Sequence, residues 1–334
     1  MNKKQSWYLL TLLLMFLTSS IAIAGETKLE MYLWNRYTYE KVGDEIEESA
    51  FSLERGYFRL NHKFSDDISG RFNLDFFSSD KDTDVHGVGV KLKYAYLDFK
   101  NLIPIPESKL TFGLLKNYFG TIYDWSYVVM EKDPADKYKF ISSTDYGMSL
   151  YGYIPNGMGE YAVAVINGEG YKKAGDNVNT SPAYLANLRF IPIPGITIGG
   201  SYYTKKKGTD KTDYSAYALV GRLAYAPLDV QFEILSKDDD GTVSQGFMIM
   251  PIIKLANNFE LVARYDNWDP NTDEDNDKQT LIIGGINYYI MRRAKGKPAV
   301  MLQVNYENTS YEDSSKDSKN KFIAQLRWEF STKL

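Results

Sequence analysis

Phe322-Ile323-Ala324-Gln325-Leu326-Arg327-Trp328-Glu329-Phe330 reads as two interleaved sequences. Phe322, Ala324, Leu326, Trp328 and Phe330 are apolar, whereas Gln325, Arg327 and Glu329 are polar. Successive side chains of a strand point to opposite faces, so this spacing predicts a strand with one oily face and one wet face. The same alternation recurs upstream. Phe72, Leu74 and Phe76 alternate with Arg71, Asn73 and Asp75, and Val300, Leu302, Val304 and Tyr306 with Gln303, Asn305 and Glu307. Tyr161, Val163 and Val165 alternate instead with small residues.

About sixteen segments of roughly ten residues follow this pattern, from 27–39 to 320–330, the length a tilted membrane-crossing strand needs. Their connections alternate in kind. Ser65-Asp66-Asp67, Pro155-Asn156-Gly157, Pro192-Ile193-Pro194-Gly195, Ala226-Pro227 and Asn257-Asn258 are short and made of turn formers. The connections at 40–50, 80–86, 119–143, 169–181, 207–213, 238–242, 269–278 and 310–319 are longer and more charged. Antiparallel strands put each set on its own rim, the asymmetry of an outer-membrane barrel with periplasmic turns and extracellular loops. The expected fold is therefore all-β, a transmembrane antiparallel β-barrel of about 16 strands. A soluble sandwich would also alternate, but would not need aromatics at both ends of so many strands.

The start of the chain predicts export. Lys3 and Lys4 precede an apolar run from Trp7 to Leu17, and Ala22-Ile23-Ala24 forms a small-residue cleavage site. The expected organisation is a signal peptide at 1–24 and one barrel domain at 25–334. Composition agrees with export into a membrane. Cysteine is absent, so neither disulfides nor thiolate metal sites enter the fold. Aromatic residues make up 15% of a chain whose mean hydropathy is −0.37. The formal net charge is −4, more acidic still without Lys3 and Lys4, which argues against nucleic acid as a partner.

The longest irregular connection, Phe119 to Ser143, needs a functional reason. Being third in order, it is expected to fold into the lumen as a constriction loop carrying Asp124, Glu131, Lys132, Asp133, Lys137 and Lys139. Strand parity sends Arg36, Arg55, Arg59, Arg71, Lys91, Lys93, Arg189, Arg222, Arg264 and Arg327 to the same interior as pore-lining cations. Eight of the ten arginines thus point inward. Guanidinium groups suit carboxylate or phosphate recognition. Glu30, Asp75, Asp145, Glu160, Glu233, Glu260, Asp266, Glu307 and Glu329 share that face, so mutual pairing of opposite charges is the preferred expectation.

Two resemblances sharpen this reading. The last strand resembles the terminal signal read by the outer-membrane assembly machinery, although Ser331 to Leu334 follow its final aromatic. Ser143-Thr144-Asp145-Tyr146-Gly147 and Tyr161-Ala162-Val163-Ala164-Val165-Ile166-Asn167-Gly168-Glu169-Gly170-Tyr171 look like the mid-barrel signature of the phosphate-selective porin O and P family. Glu54-Arg55-Gly56-Tyr57-Phe58 and Ala95-Tyr96-Leu97-Asp98-Phe99 are similar to its early strands. The resemblance implies a sixteen-stranded barrel, usually trimeric, with the third extracellular loop folded into the pore. The family's phosphate preference does not carry over, because it depends on denser ladders of Arg and Lys.

The expected function is a passive outer-membrane channel for small hydrophilic solutes, with a possible preference for anions. The alternative is a plugged structural or adhesive barrel that works through its surface loops. An enzyme is disfavoured: only His62, near a turn, and His86, in a loop, are available for a triad. Asp269, Asn271, Asp273, Asp275 and Asp277 space oxygens like a calcium loop, but Glu274 and Thr280 stand where Gly and Glu are needed. No metal or cofactor is expected. The partners expected are a homotrimer, outer-membrane lipid and lipopolysaccharide, the last with the option of shared divalent cations, in a Gram-negative outer membrane.

Overall fold

The computed structural model describes residues 25–81, 87–173, 181–207, 212–256, 258–293 and 298–334. The segment 1–24 with its expected cleavage site, and His86, lie outside the described residues. The strands are β1 (Glu26–Val42), β2 (Glu45–Lys63), β3 (Ile68–Ser78), β4 (Val88–Lys100), β5 (Ser108–Lys116), β6 (Thr144–Ile154), β7 (Gly159–Ile166) and β8 (Ala183–Ile193). They continue with β9 (Ile196–Lys207), β10 (Thr212–Tyr225), β11 (Leu228–Asp239), β12 (Thr242–Ala256), β13 (Phe259–Asp269), β14 (Gln279–Arg292), β15 (Pro298–Tyr311) and β16 (Lys319–Lys333). Each strand pairs antiparallel with its sequence neighbours, and β1 closes the ring on β16. Closure leaves no strand edge with unpaired backbone groups, the condition for crossing hydrocarbon with strands. Among the described residues no helix is long and apolar enough to cross a membrane.

Register sorts the side chains. In β10, Tyr217, Leu219, Leu223 and Tyr225 are exposed, whereas Tyr214, Ala216, Ala218 and Val220 are buried. Tyr217 and Tyr225 stand eight residues apart, about 20 Å along the barrel axis for a strand tilted by about 40°. Ring contacts form at both ends of the exposed band. Tyr202 meets Tyr217 and Phe247 meets Tyr265 near one rim, while Phe259 stacks on Tyr288 and Trp328 on Phe330 near the other. These are two aromatic girdles bounding an apolar belt.

Two connections read from sequence as long loops are tight turns. β1 and β2 run out to Gly43-Asp44, and β11 and β12 to Asp240-Gly241. Past the apolar belt both faces of a strand meet water, so charged residues extend the ladder instead of ending it. Glu40, for example, is held by Lys319 at 2.7 Å and by Lys321. The turns close because Asp240 and Gly241 both adopt positive φ, the geometry that matches hairpin twist.

Ile234, half-exposed in mid-strand of β11, tests the orientation of the belt. Ile234→Arg is expected to destabilise the folded barrel by about 2–4 kcal/mol, read as a lower urea midpoint for the heat-modifiable band on gels. An unchanged midpoint would place this face in water.

Candidate functional site

The connection from β5 to β6, residues 117–143, is the longest irregular segment among the described residues. Its base is tied by Asn117, whose Nδ2 donates to Ser142 O at 2.7 Å. Beyond that, its partners lie on strands far around the ring. Gly120 N donates to Ser201 Oγ of β9 at 3.0 Å, and Thr121 N to Glu233 Oε1 of β11 at 3.0 Å. Carbonyls of the segment accept from wall side chains: Val128 O from Asn287 at 2.9 Å, Tyr127 O from Gln303 at 2.9 Å and Arg327 at 3.0 Å, and Lys132 O from Arg264 at 2.5 Å. Buried carbonyls need such donors, because an unmade hydrogen bond there costs its desolvation.

Apolar packing completes the attachment. Phe119, Ile122, Ala135 and Phe140 cluster with Ala162, Ala164, Leu185, Ala216, Ala218 and Trp268 of the wall. Val129 packs with Met248, Met250, Val262 and Ile283. The interior-facing set therefore changes character around the ring. It is charged and aromatic from β16 through β4, whereas from β7 to β14 small and apolar residues stand among the ion pairs. A sheet apolar on both faces must be covered on both. The small residues alternating with Tyr161, Val163 and Val165 are the sequence trace of that requirement.

The ten cations assigned to the interior by parity all lie on the interior side of the register, and their partners separate them. Seven are paired with carboxylates: Arg36 with Glu54 at 3.1 Å, Arg59 with Glu30 at 3.2 Å, Lys91 with Asp75 at 3.1 Å, Arg189 with Asp124 at 2.7 Å, Arg222 with Asp229 at 2.5 Å, Arg264 with Asp266 at 2.6 Å, and Arg327 with Glu329 at 3.0 Å. Among the described residues, Arg55, Arg71 and Lys93 have no carboxylate within 4 Å. Ring faces and neutral oxygens hold them instead. Arg55 lies 4.3 Å from the Trp34 ring centre, 4.6 Å from Tyr127 and 4.8 Å from Tyr57, and donates to Tyr127 Oη at 3.1 Å. Lys93 Nζ donates to Ser143 Oγ at 2.5 Å and sits 4.6 Å from the Tyr171 ring. Arg71 donates to Asn61 Oδ1 at 2.8 Å beside Tyr96.

This distinction has an electrostatic consequence. A carboxylate cancels the charge it binds, whereas a ring quadrupole attracts a cation without adding net charge. Arg55, Arg59, Lys91 and Lys93 line a cavity of about 600 Å³, joined there by Lys132 and Lys139 of the connecting segment. A second cavity of about 280 Å³, on the β7–β11 side, contains Arg189 and Arg222, both already paired.

The segment's remaining charges divide similarly. Asp124 is taken by Arg189, and Glu131 pairs with Lys137 at 2.5 Å. Asp133 is 2% exposed and caps the helical turn Pro134–Lys137. Of the inward tyrosines, Tyr151 stacks on Tyr118, Tyr203 is buried, and Tyr57 lies under Arg55. His62 accepts or donates to Thr27 Oγ1 at 2.7 Å on the outer side of β2. In the acidic connection 270–278, Asp269 pairs with Lys278 at 3.7 Å, and no described cluster has metal-holding geometry.

A closed, even-numbered antiparallel barrel with a girdled apolar exterior and a charged interior has the architecture of an outer-membrane β-barrel. The protein resembles one porin family in particular: the family model for phosphate-selective porin O and P matches residues 167–331. Of the motifs that carry the resemblance, Asn167 to Tyr171 fall inside this stretch, and the others precede it. The fold is similar to the anion-selective porin from Comamonas acidovorans, at 10% identity and TM-score 0.66 over 92% of this chain and 100% of that one. It is likewise similar to Salmonella typhi OmpF in complex with daunomycin, at 10% identity and TM-score 0.66 over 92% and 99% of the two chains. The trimer form of OmpT from Vibrio cholerae matches at 12% identity and TM-score 0.64, again over 92% and 99%. No curated protein matches the chain by sequence.

Gly120 tests how the segment is attached. Its φ is +50°, and an added Cβ would stand 1.9 Å from Glu233 Oε1. Gly120→Ala is expected to cost at least about 1–2 kcal/mol from backbone conformation alone and to expose the segment to limited proteolysis. Wild-type protease resistance in that variant would contradict this contact.

Proposed function

We propose that this porin is a passive channel for small hydrophilic solutes with a preference for anions, and that residues 119–143 form its constriction. The observation that carries the reading is the set of interior cations left without carboxylates. Seven pairs are close to neutral, so the charge left uncancelled at the larger cavity comes chiefly from Arg55 and Lys93 of the wall, with Lys132 and Lys139 of the segment. All are positive, and only Asp136 among the segment's carboxylates lines the same cavity. Charges lining a narrow opening set selectivity through their field and the space they leave. The hydrogen bonds from β9, β11, β14, β15 and β16 to the segment support its role as a fixed internal wall.

The rest of the reading follows from the porin likeness. Passage needs no energy source, and the chain acts as a channel and not an enzyme. Like the trimer form of Vibrio cholerae OmpT, it assembles as a homotrimer, embedded in outer-membrane lipid and lipopolysaccharide after insertion by the assembly machinery. Segment 1–24 is its signal peptide.

Reversal potential across a planar bilayer in a salt gradient tests this directly. Arg55→Gln combined with Lys93→Gln should lower the anion-to-cation permeability ratio roughly fivefold per charge, the factor given by about 1 kcal/mol of Coulomb energy. Arg222→Gln, which removes a paired cation, should shift it less. Equal shifts would refute the division between paired and ring-held charge. A folded barrel without open conductance steps would favour a plugged structural or adhesive protein.

A further inference from the structure

Thr121 Oγ1 stands within hydrogen-bond distance of two carboxylates, Asp133 Oδ2 of the connecting segment and Glu233 Oε2 of β11, the latter at 2.7 Å. Both carboxylates are buried, Asp133 at 2% exposure and Glu233 at 0%. A threonine hydroxyl has one proton and can donate to one acceptor. The second contact is a hydrogen bond only if a carboxyl group brings a proton of its own.

We propose that Thr121, Asp133 and Glu233 form a proton-sharing latch that fixes the constriction against β11, so that loss of the shared proton loosens it. In the latched state one carboxyl O–H donates to Thr121 Oγ1, and the Thr121 hydroxyl donates to the other carboxylate. When that carboxyl proton leaves to water, two buried carboxylates face one hydroxyl. Like charges at this separation repel strongly in a low-dielectric site.

Nothing nearby cancels the pair. No Lys or Arg among the described residues lies within 4 Å of either carboxylate. Arg264 of β13 acts on Asp133 from a distance but is committed to Asp266 at 2.6 Å, and Arg189 of β8 is committed to Asp124 at 2.7 Å. Asp136, in the same segment, adds negative charge, although its backbone N–H donates to Asp133 Oδ1 at 3.1 Å. β9, β10 and β12 contribute the uncharged Ser201, Val220 and Met248. The backbone is shaped for this contact, since Thr121 N donates to Glu233 Oε1 and only glycine fits at position 120.

Burial pushes the Asp133 carboxyl up to about 7, with the Thr121 and Asp136 hydrogen bonds acting in the opposite direction. An acid whose folded-state value is raised contributes its stability fully below the ordinary carboxylate range and loses it as pH rises through the folded value. The latch therefore holds in acid and weakens toward neutral and alkaline pH.

The inference rests on residues 119–143 forming the constriction, and the experiment separates the two. Single-channel recordings of the full barrel between about pH 5 and about pH 9 should show open-channel current noise rising several-fold across the interval. Glu233→Gln and Asp133→Asn keep a hydrogen-bonding group that does not ionise, so each should flatten that profile while heat modifiability confirms folding. Thr121→Val should be noisy at every pH. A flat wild-type profile, or one that both amide variants retain, overturns the latch and leaves the porin reading intact. Absence of channels in every protein would overturn the porin reading. Difference infrared spectra provide a second test: the protonated-carboxyl band bleached on raising pH should shrink in Glu233→Gln, and an equal band would overturn the shared proton.

Discussion

Every other feature of this barrel depends on one constraint: a backbone amide facing hydrocarbon has no water to bond and must find its partner in the sheet. The β1–β16 pairing meets that demand by closing the ring, from Lys28 against Lys333 to Val42 against Lys319. Closure then divides every strand into an outer and an inner set of side chains. The outer set is held to a single chemistry by lipid. The inner set is free to vary, and it varies by sector.

Apolar residues on the inner side of β7–β14 pack against Phe119, Ile122, Val129 and Phe140 of the β5–β6 connection. That connection brings its own cost, a length of irregular backbone whose carbonyls leave water. Arg264, Arg327, Asn287 and Gln303 offset that cost by donating to those carbonyls. Several interior arginines are thus structural. Their charge is balanced by a carboxylate and their remaining N–H groups are used to pin backbone.

Against that background the ring-held cations differ in kind. Arg55 and Arg327 lie on opposite sides of one indole, 4.3 and 4.5 Å from the centre of Trp34, yet only Arg327 has a carboxylate partner. The aromatic clamp fixes the position of Arg55 while leaving its charge in force. An interior that carried only ion pairs would present a transverse field with little net sign. On the proposed reading, Arg55 and Lys93 are what give the larger cavity a sign.

Much of this was legible in the residues themselves. Period-two alternation such as Phe322 to Phe330, the turn formers at one rim and the inward parity of all ten cations follow from strand geometry, which couples neighbours two residues apart and nothing more distant. The extent of β1 and β2 past the membrane was not legible, because Glu40 and Lys41 look alike in a loop and in a strand with water on both faces. Nor could sequence separate Arg55 from Arg59, which are four residues apart in the same strand with the same parity. One meets three rings and the other meets Glu30, and that depends on which residues closure and the β5–β6 connection bring together. The sequence alone determined a closed, lipid-wetted sheet with charge inside, because that is written in local alternation. Which charges cancel, and where Asp133 meets Glu233, was decided only by tertiary structure, because strand parity does not say which inward neighbour a side chain meets, and Asp133 and Glu233 stand a hundred positions apart.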